Sequence, residues 1–518
     1  MGTYTARVRR WFWLSLTAFF LMGTAWAIAL PANGTYDEKD HVARAYAVVT
    51  GQLTTDKTIV NRRGDVTPAF LAPASLLPSG STVDCTWAPL PPKPASCQQW
   101  TSDRHKILTQ SAAATYSPIY YLPVGLPLLV APDMTGIILA RLISVLLAAL
   151  LLACSVGAAM RMGSRLLPVG IMLVCTPLVM NLASSINPNG LEIVSGILVF
   201  SSLLALVRAP DERLDDRSVR RLLVMACAGS LLLLTLRELG PALLAIDVVA
   251  CALLARRGRI GALWRRRDLR WALGVCWAVG LVFAAGWLEY SGFANIATNA
   301  RAALHLSLGQ ELHEIASQRI PFFVRQIVGE FDYGETHVPT YVIAAWYLLM
   351  AALVVPCLRY ARLRFGAVLV ALLAVCLAML VVLDLHFLPE IGWFSQGRYA
   401  LPSLVGVVLA AASTNGFERR LAGRRWAWGY PAALGAGATV LNVYALSRVM
   451  TRFRAGVAAP LNPFSGSWHP QLGSVLPLLA AFAGSALLVV VVAFAAGDHR
   501  PAEVPATAPD QSRASAAV

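Results

Sequence analysis

The sequence predicts an all-α polytopic membrane protein of about twelve transmembrane helices with a long, partly folded first exoplasmic loop. Three observations carry that expectation. Of the 518 residues, 57% are hydrophobic and 14% charged, where soluble domains carry roughly a quarter charged residues. Apolar stretches of about 20 residues, the length that crosses a bilayer as a helix, recur from end to end. Arginines gather in every second connection between those stretches, the bias that keeps a loop in the cytoplasm. The net charge of +15 is therefore a topology signal, and no nucleic-acid partner is expected.

The first stretch, Trp11–Leu30, follows Arg7, Arg9 and Arg10 as a signal peptide would, but it is longer than a signal core. Pro31-Ala32-Asn33-Gly34 is a weak cleavage site, so the stretch reads as an uncleaved first span. The others fall at Thr135–Met160, Leu166–Ala183, Asn189–Arg208, Val219–Leu236, Pro241–Leu254, Trp271–Tyr290, Val338–Leu358, Gly366–Leu385, Tyr399–Ser413, Trp428–Ser447 and Gly473–Ala495. The sixth is short, and is tilted or merged with the fifth. With the amino terminus inside, the basic connections 161–165, 208–221, 256–270, 359–364 and 419–425 are cytoplasmic, as are both termini. Outside fall 31–134, the turn 186–189, Arg237-Glu238, 291–337, 384–398 and 448–472. The expected organisation is one multi-pass cell-membrane domain, 1–495, with large exoplasmic loops at 31–134 and 291–337. The Ala-, Pro- and Ser-rich tail 496–518 is expected to be disordered.

A first outer loop of about 100 residues is too long for a connector. It holds Cys85 and Cys97, the only two of nine cysteines outside apolar spans, and a disulfide between them is expected in an oxidising compartment. Tyr116 to Val130 is apolar, but short and Pro-rich. Counting it as a span would put the later arginines outside, so it is expected to lie at the interface or re-enter, its tyrosines at headgroup level. In the second large loop, Arg301–Gln318 has amphipathic spacing and reads as an interfacial helix. Its neighbours His305, Glu311, His313, Glu314, Asp332, Glu335 and His337 lack zinc-site spacing.

The chemistry-bearing group is Asp37, Glu38, Asp40 and His41, just after the first span. On a helix, Asp37, His41 and Arg44 share one face. Such a group can abstract a proton or hold a divalent cation through its oxygens. It also suits a solvated helix start, where acids favour the first turn. Arg141 lies inside the second span, where a charge is costly and marks a functional site by default; Asp247 is a candidate partner. Glu192 is one turn into the fourth span and can reach a cavity, and Arg237 and Glu238 can neutralise each other. Arg448, Arg452 and Arg454 fall outside against the charge bias; headgroup snorkelling is the expectation for Arg452 and Arg454. No nucleotide-type Gly loop and no nucleophilic Ser or Cys constellation is present, so neither a nucleotide-sugar donor nor an ATP-driven activity is expected.

The order of short cytoplasmic start, one span, acidic motif, long outer loop and many spans resembles the GT-C superfamily of polyprenyl-phosphate-sugar-dependent glycosyltransferases. More narrowly, the string Tyr36-Asp37-Glu38-x-x-His41-x-x-Arg44-Ala45-Tyr46 is similar to a bacterial polytopic family of unassigned function. That family reads Pro-Asp-Glu-x-x-His-x-x-Arg-Ala followed by a Gly, here Gly51. Its Tyr-x-Pro-x-x-Tyr element matches Tyr116, Pro118 and Tyr121, and its Gln-Gly-Arg-Tyr-x-x-Pro element matches Gln396, Gly397, Arg398, Tyr399 and Pro402. Tyr36 stands where Pro is usual.

The resemblance implies a GT-C-like fold and transfer of a sugar from a polyprenyl-phosphate donor to an envelope glycan, lipid or protein acceptor, with inversion. Asp37 or Glu38 would be the base or metal ligand, and Arg398, Arg237 and Arg44 would meet the departing phosphate. Asp40, His41, Tyr116, Tyr121, Arg141, Gln396 and Tyr399 would line the substrate site. A divalent cation is the one cofactor this pattern leaves open. The alternative is a transporter or flippase of lipid-linked sugars, which would place polar groups at mid-membrane and break helices in paired halves. Here they gather at the outer ends.

Overall fold

The computed structural model describes residues 2–60, 66–88, 90–292, 304–331, 334–421 and 426–497. Most of the expected tail, 498–518, and Arg301 and Asp332 lie outside the described residues. The helices are α1 (Gly2–Ala29), α2 (Glu38–Val49), α3 (Pro118–Val130), α4 (Met134–Met162), α5 (Leu167–Val174), α6 (Pro177–Ala183), α7 (Pro188–Arg208), α8 (Asp216–Leu236), α9 (Gly240–Leu254), α10 (Arg259–Arg265), α11 (Arg267–Ser291), α12 (Leu308–Glu314), α13 (Ile320–Gly329), α14 (Thr340–Arg359), α15 (Leu363–Ile391), α16 (Leu401–Ala412), α17 (Asn415–Leu421), α18 (Trp426–Ala455) and α19 (Val475–Gly497).

Every expected span has a helix at its position. Among the described residues, eight are long and apolar enough to cross a membrane: α1, α4, α7, α8, α11, α14, α15 and α19. The third expected span is instead two short helices, α5 and α6, broken at Cys175-Thr176. Pro177 restarts the chain at a first-turn position where its missing N–H costs nothing, and the Thr176 side chain accepts from the Val179 N–H. The sixth and tenth, α9 and α16, are shorter apolar helices. α7 is apolar all round and is enclosed by α4, α6, α8, α9 and α16, which makes it the central helix of the bundle. α11, α14 and α15 keep many large apolar side chains exposed, as suits helices that face lipid.

The first long loop is folded, and not only helical. β1 (Thr58–Val60), β2 (Val66–Pro73) and β3 (Lys106–Gln110) form an antiparallel sheet in the order β1-β2-β3, with Phe70 opposite Thr109. Pro68 and Pro73 within β2 hide it from a strand reading. Cys85 and Cys97 are disulfide-bonded, with Cα atoms 6.1 Å apart.

The loop packs against the chain between α18 and α19. Ser96 and Ser467 hydroxyls meet at 2.7 Å. Arg452 donates to the carbonyls of Lys93 (3.1 Å) and Thr86 and to Glu335 (3.1 Å). Arg454 donates to the Phe464 carbonyl (2.8 Å) and the Ser474 hydroxyl. Arg452 and Arg454 are therefore not snorkelling: both are buried, and their fixed forks tie loop carbonyls together.

Two further expectations change. α3 is a short helix tucked against α2 and α4, and its tyrosines point inward rather than to headgroups. Tyr120 bonds Ser144 (2.8 Å) and accepts from the Asn187 N–H (2.8 Å). A Cβ on Gly125 would lie 2.5 Å from the Ala45 carbonyl, so only glycine lets α2 and α3 approach this closely. In the second large loop the helix starts later than expected, at Leu308 behind a Ser307–Gln310 capping box. It continues through one π turn, Ile315–Arg319, to Gly329.

Candidate functional site

The turn between α1 and α2 holds two non-glycine residues in the left-handed region, Asn33 (φ 55°) and Asp37 (φ 57°). Asn and Asp tolerate that region best. Asp37 occupies the N-cap of α2, yet its carboxylate makes no capping bond. It is instead turned out to Arg398, whose Nη2 donates to Oδ2 at 2.8 Å. Strain and a forgone cap at one position mark a residue held for something other than stability. The Asp37 side chain is 38% exposed, whereas that of Arg398 is 3% exposed.

Arg398 sits on the 3₁₀ turn Gly397–Tyr399, just ahead of α16. Its guanidinium lies 4.2 Å from the centre of the Tyr36 ring and 5.7 Å from that of Tyr399. A Cβ on Gly397 would lie 2.7 Å from the Phe323 carbonyl, which explains the glycine. Gln326 of α13 fixes this turn. Its Oε1 accepts from the Gly397 N–H at 2.5 Å, and its Nε2 donates to the Tyr36 hydroxyl (3.0 Å) and to Gln396 Oε1 (3.3 Å).

On the other side of Tyr399 lies Arg237, its guanidinium 4.7 Å from the ring centre and 5.6 Å from that of Tyr116. Nη1 donates to Glu192 Oε2 at 3.1 Å and Nη2 reaches the Tyr116 hydroxyl at 3.5 Å. Arg237 thus pairs with Glu192, not with its neighbour Glu238. Asn189 Nδ2 donates to the same Glu192 oxygen at 2.9 Å. Among the described residues, Nε and Nη1 of Arg398 and Nε of Arg237 have no hydrogen-bond partner although buried. Buried guanidinium donors left unsatisfied are costly alone and suit an anion that would complete them.

The structure separates Glu38 from Asp37. Glu38 is fully buried in a two-pronged ion pair with Arg141, at 2.7 Å (Nε to Oε1) and 2.5 Å (Nη2 to Oε2). Arg141 also donates to the carbonyls of Ala27 (3.0 Å), Leu30 (2.9 Å) and Pro31 (2.6 Å), where α1 ends. All five of its N–H donors are used, so none is left for a substrate. Arg141 closes the carbonyl end of α1, and its partner is Glu38 rather than Asp247. The Glu38 Oε1 atom further accepts from the Ile186 N–H at 3.2 Å.

Arg44 and Asp40 are likewise anchors. Arg44 is fully buried and donates to the carbonyls of Tyr116 (2.8 Å) and Leu53 (2.8 Å). Asp40 accepts from the Ala112 N–H at 2.8 Å. Both bind the first loop to α2, and all three Arg44 nitrogens donate to main-chain carbonyls, of Tyr116, Gln52 and Leu53. His41 is hydrogen-bonded through Nδ1 to the Tyr121 hydroxyl at 2.7 Å and stacks on that ring.

Burial pushes the His41 pKa down to about 3 and lifts that of Asp40 to about 7. The unfolded chain protonates His41 below about 6.5 while the folded protein resists it. The stability this group contributes is therefore present above 6.5 and lost as pH falls toward 3. Asp40 runs the other way and is common to both proteins in the comparison that follows. The gap in melting temperature between wild type and His41→Gln is expected to narrow from about pH 7.5 to about pH 5. A gap that does not move with pH would contradict a buried neutral imidazole.

The structure thus gathers Asp37, Arg398, Gln396, Tyr399, Arg237, Tyr116, His41 and Tyr121 around one point. Sequence reasoning left out Gln326, whose only signal is a lone amide in an apolar run, and the Asn187 side chain, which donates to the Tyr36 carbonyl at 2.8 Å. Among the described residues no group of three His, Cys, Asp or Glu is placed to hold a metal ion.

A family model described as predicted membrane protein (DUF2142) matches residues 20–407. The chain belongs to that family. The part matched to DUF2142 runs from within α1 to within α16 and contains every residue gathered above; α18, α19 and the chain between them lie beyond it. No curated protein matches the chain. Among solved structures, the chain is similar to ArnT from Cupriavidus metallidurans in the apo state, with 16% identity, 91% of this chain and 74% of that chain covered, and a TM-score of 0.44. The same ArnT bound to undecaprenyl phosphate gives 16% identity, 95% and 77% coverage, and a TM-score of 0.43.

Proposed function

We propose that this DUF2142 protein is a GT-C-type glycosyltransferase that moves a sugar from a polyprenyl-phosphate donor to an extracytoplasmic acceptor. The observation that carries this reading is the partly exposed Asp37 carboxylate held at 2.8 Å by a buried arginine with two further nitrogens unpartnered. Asp37 accepts the proton of the acceptor hydroxyl as that oxygen attacks the anomeric carbon. The bond from that carbon to the phosphate oxygen breaks, and the lipid phosphate leaves with its electron pair. Arg398 and Arg237, flanking Tyr399, meet the charge that develops there.

An apolar groove of about 220 Å³ between α8 and α11 has Arg237 in its lining, with Leu234, Leu281 and Trp287. It offers a polyprenyl tail a route along the bundle that ends at a guanidinium. Arg398 engages Asp37 Oδ2 at 2.8 Å, so this reading assigns the counter-charge at Asp37 to arginine rather than to a divalent cation. The arginine-rich connections support a reading with this face outside the cell and both termini in the cytoplasm.

The test is transfer of radiolabelled sugar from polyprenyl-phosphate donors in membranes containing the protein. Transfer above empty membranes is expected. No transfer with any donor, together with movement of the labelled lipid between leaflets, would favour a flippase instead. Within that assay Arg398→Ala is expected to lower the rate by about 10²–10³-fold. Arg398→Lys should recover only a small part of it, since a point charge cannot serve carboxylate and phosphate together. A fully active lysine variant would remove Arg398 from the reaction.

A further inference from the structure

A second cavity, of about 750 Å³, lies at the loop-bearing end of the bundle, and none of Asp37, Arg398 or Arg237 lines it. Its floor is Pro31 and Ala32 with the start of α4 at Asp133. One wall is the segment after the disulfide, carrying Gln98, Trp100 and Arg104; the other is Trp468 to Gln471, between α18 and α19. The walls are tied together rather than merely adjacent. Ser96 meets Ser467 at 2.7 Å, Arg452 holds the Lys93 carbonyl at 3.1 Å, and Gln98 Nε2 donates to the Ala32 carbonyl at 2.7 Å. A preformed cleft of this size is in the range of ligand sites, roughly 300–1,000 Å³.

The lining selects a chemistry. Trp100, 39% exposed, and the half-buried Trp468 offer broad apolar faces with a polar edge. Amides, hydroxyls, one histidine, one arginine and one aspartate surround them, so charge is nearly balanced with the histidine neutral. A lipid tail would want the apolar lining seen between α8 and α11. A phosphorylated ligand would want an excess of positive charge. A pyranose ring presents C–H faces to stack on indole and a rim of hydroxyls to pair with amides and carboxylates. We infer that this cleft is a binding site for a neutral glycan, and that it holds the acceptor chain. From Ala32 on its floor to Asp37 is five residues of chain, at most roughly 18 Å, a span that an oligosaccharide can cover. The acceptor role rests on the transferase reading; glycan binding does not.

The test uses the full chain, purified in detergent, on an array of neutral and anionic oligosaccharides. Wild type is compared with Trp100→Ala, Trp468→Ala and Trp100→Phe, each checked for an unchanged melting temperature. Retention of at least one class of neutral glycan is expected. Each tryptophan-to-alanine change should weaken it about tenfold or more, while Trp100→Phe keeps most of it. A blank array, binding confined to anionic glycans, or binding indifferent to both tryptophans would overturn the assignment. A blank array beside Asp37-dependent transfer in membranes would sink the cleft alone. Tryptophan-dependent binding without transfer would sink the transferase reading and leave the cleft standing.

Discussion

Asp37→Asn is expected to cut sugar transfer by about 10²–10⁴-fold, the range a positioned general base supplies, and to leave the fold intact. The substitution is chosen to change little else. Asn tolerates the left-handed backbone that Asp37 adopts at φ 57°. Its amide oxygen can still accept from Arg398 Nη2, which now donates to Oδ2 at 2.8 Å. What it cannot do is take a proton. The measurement is initial rate at matched protein level, alongside a thermal melt. Wild-type rates from Asp37→Asn would remove the base from the mechanism. A lowered melting temperature would instead assign Asp37 to the scaffold.

Glu38→Gln is expected to do the opposite: destabilise the protein by about 3–5 kcal/mol, with activity falling only as the folded fraction falls. The change strips the counter-charge from Arg141, which is fully buried and has nowhere to expel its charge. Arg141 also satisfies the carbonyls of Ala27, Leu30 and Pro31, so disturbing it loosens the end of α1 on which the Asp37 turn is mounted. Thermal unfolding in detergent reads the effect, and a double cycle with Arg141→Met isolates the coupling. A Glu38→Gln protein as stable as wild type, but without transfer, would return Glu38 to the chemistry.

These paired outcomes show where sequence reading reached its limit. Asp37 and Glu38 are adjacent, equally acidic and equally well placed after the first span, and no pattern distinguishes them. The difference arises from one residue of rotation at the start of α2. It points Glu38 inward to α4 and leaves Asp37 facing Arg398, 361 residues away. The cost of an intramembrane charge marks Arg141 for a substrate role, whereas its donors are spent on Glu38 and on carbonyls at the end of another helix. Arg452 and Arg454 were read from their position near a membrane face, whereas their partners are loop carbonyls that only tertiary packing brings close.

The sequence by itself determined that this chain is a helical membrane protein and where its long apolar helices fall. Hydrophobic length and charge bias are local properties that the bilayer reads one segment at a time. It also singled out motif elements, in the turn after α1, at Tyr116 and at Arg398, that lie far apart along the chain. Only the tertiary structure decided which of those residues meet. A buried carboxylate or guanidinium takes its role from whichever partners satisfy it, and those partners come from distant parts of the chain.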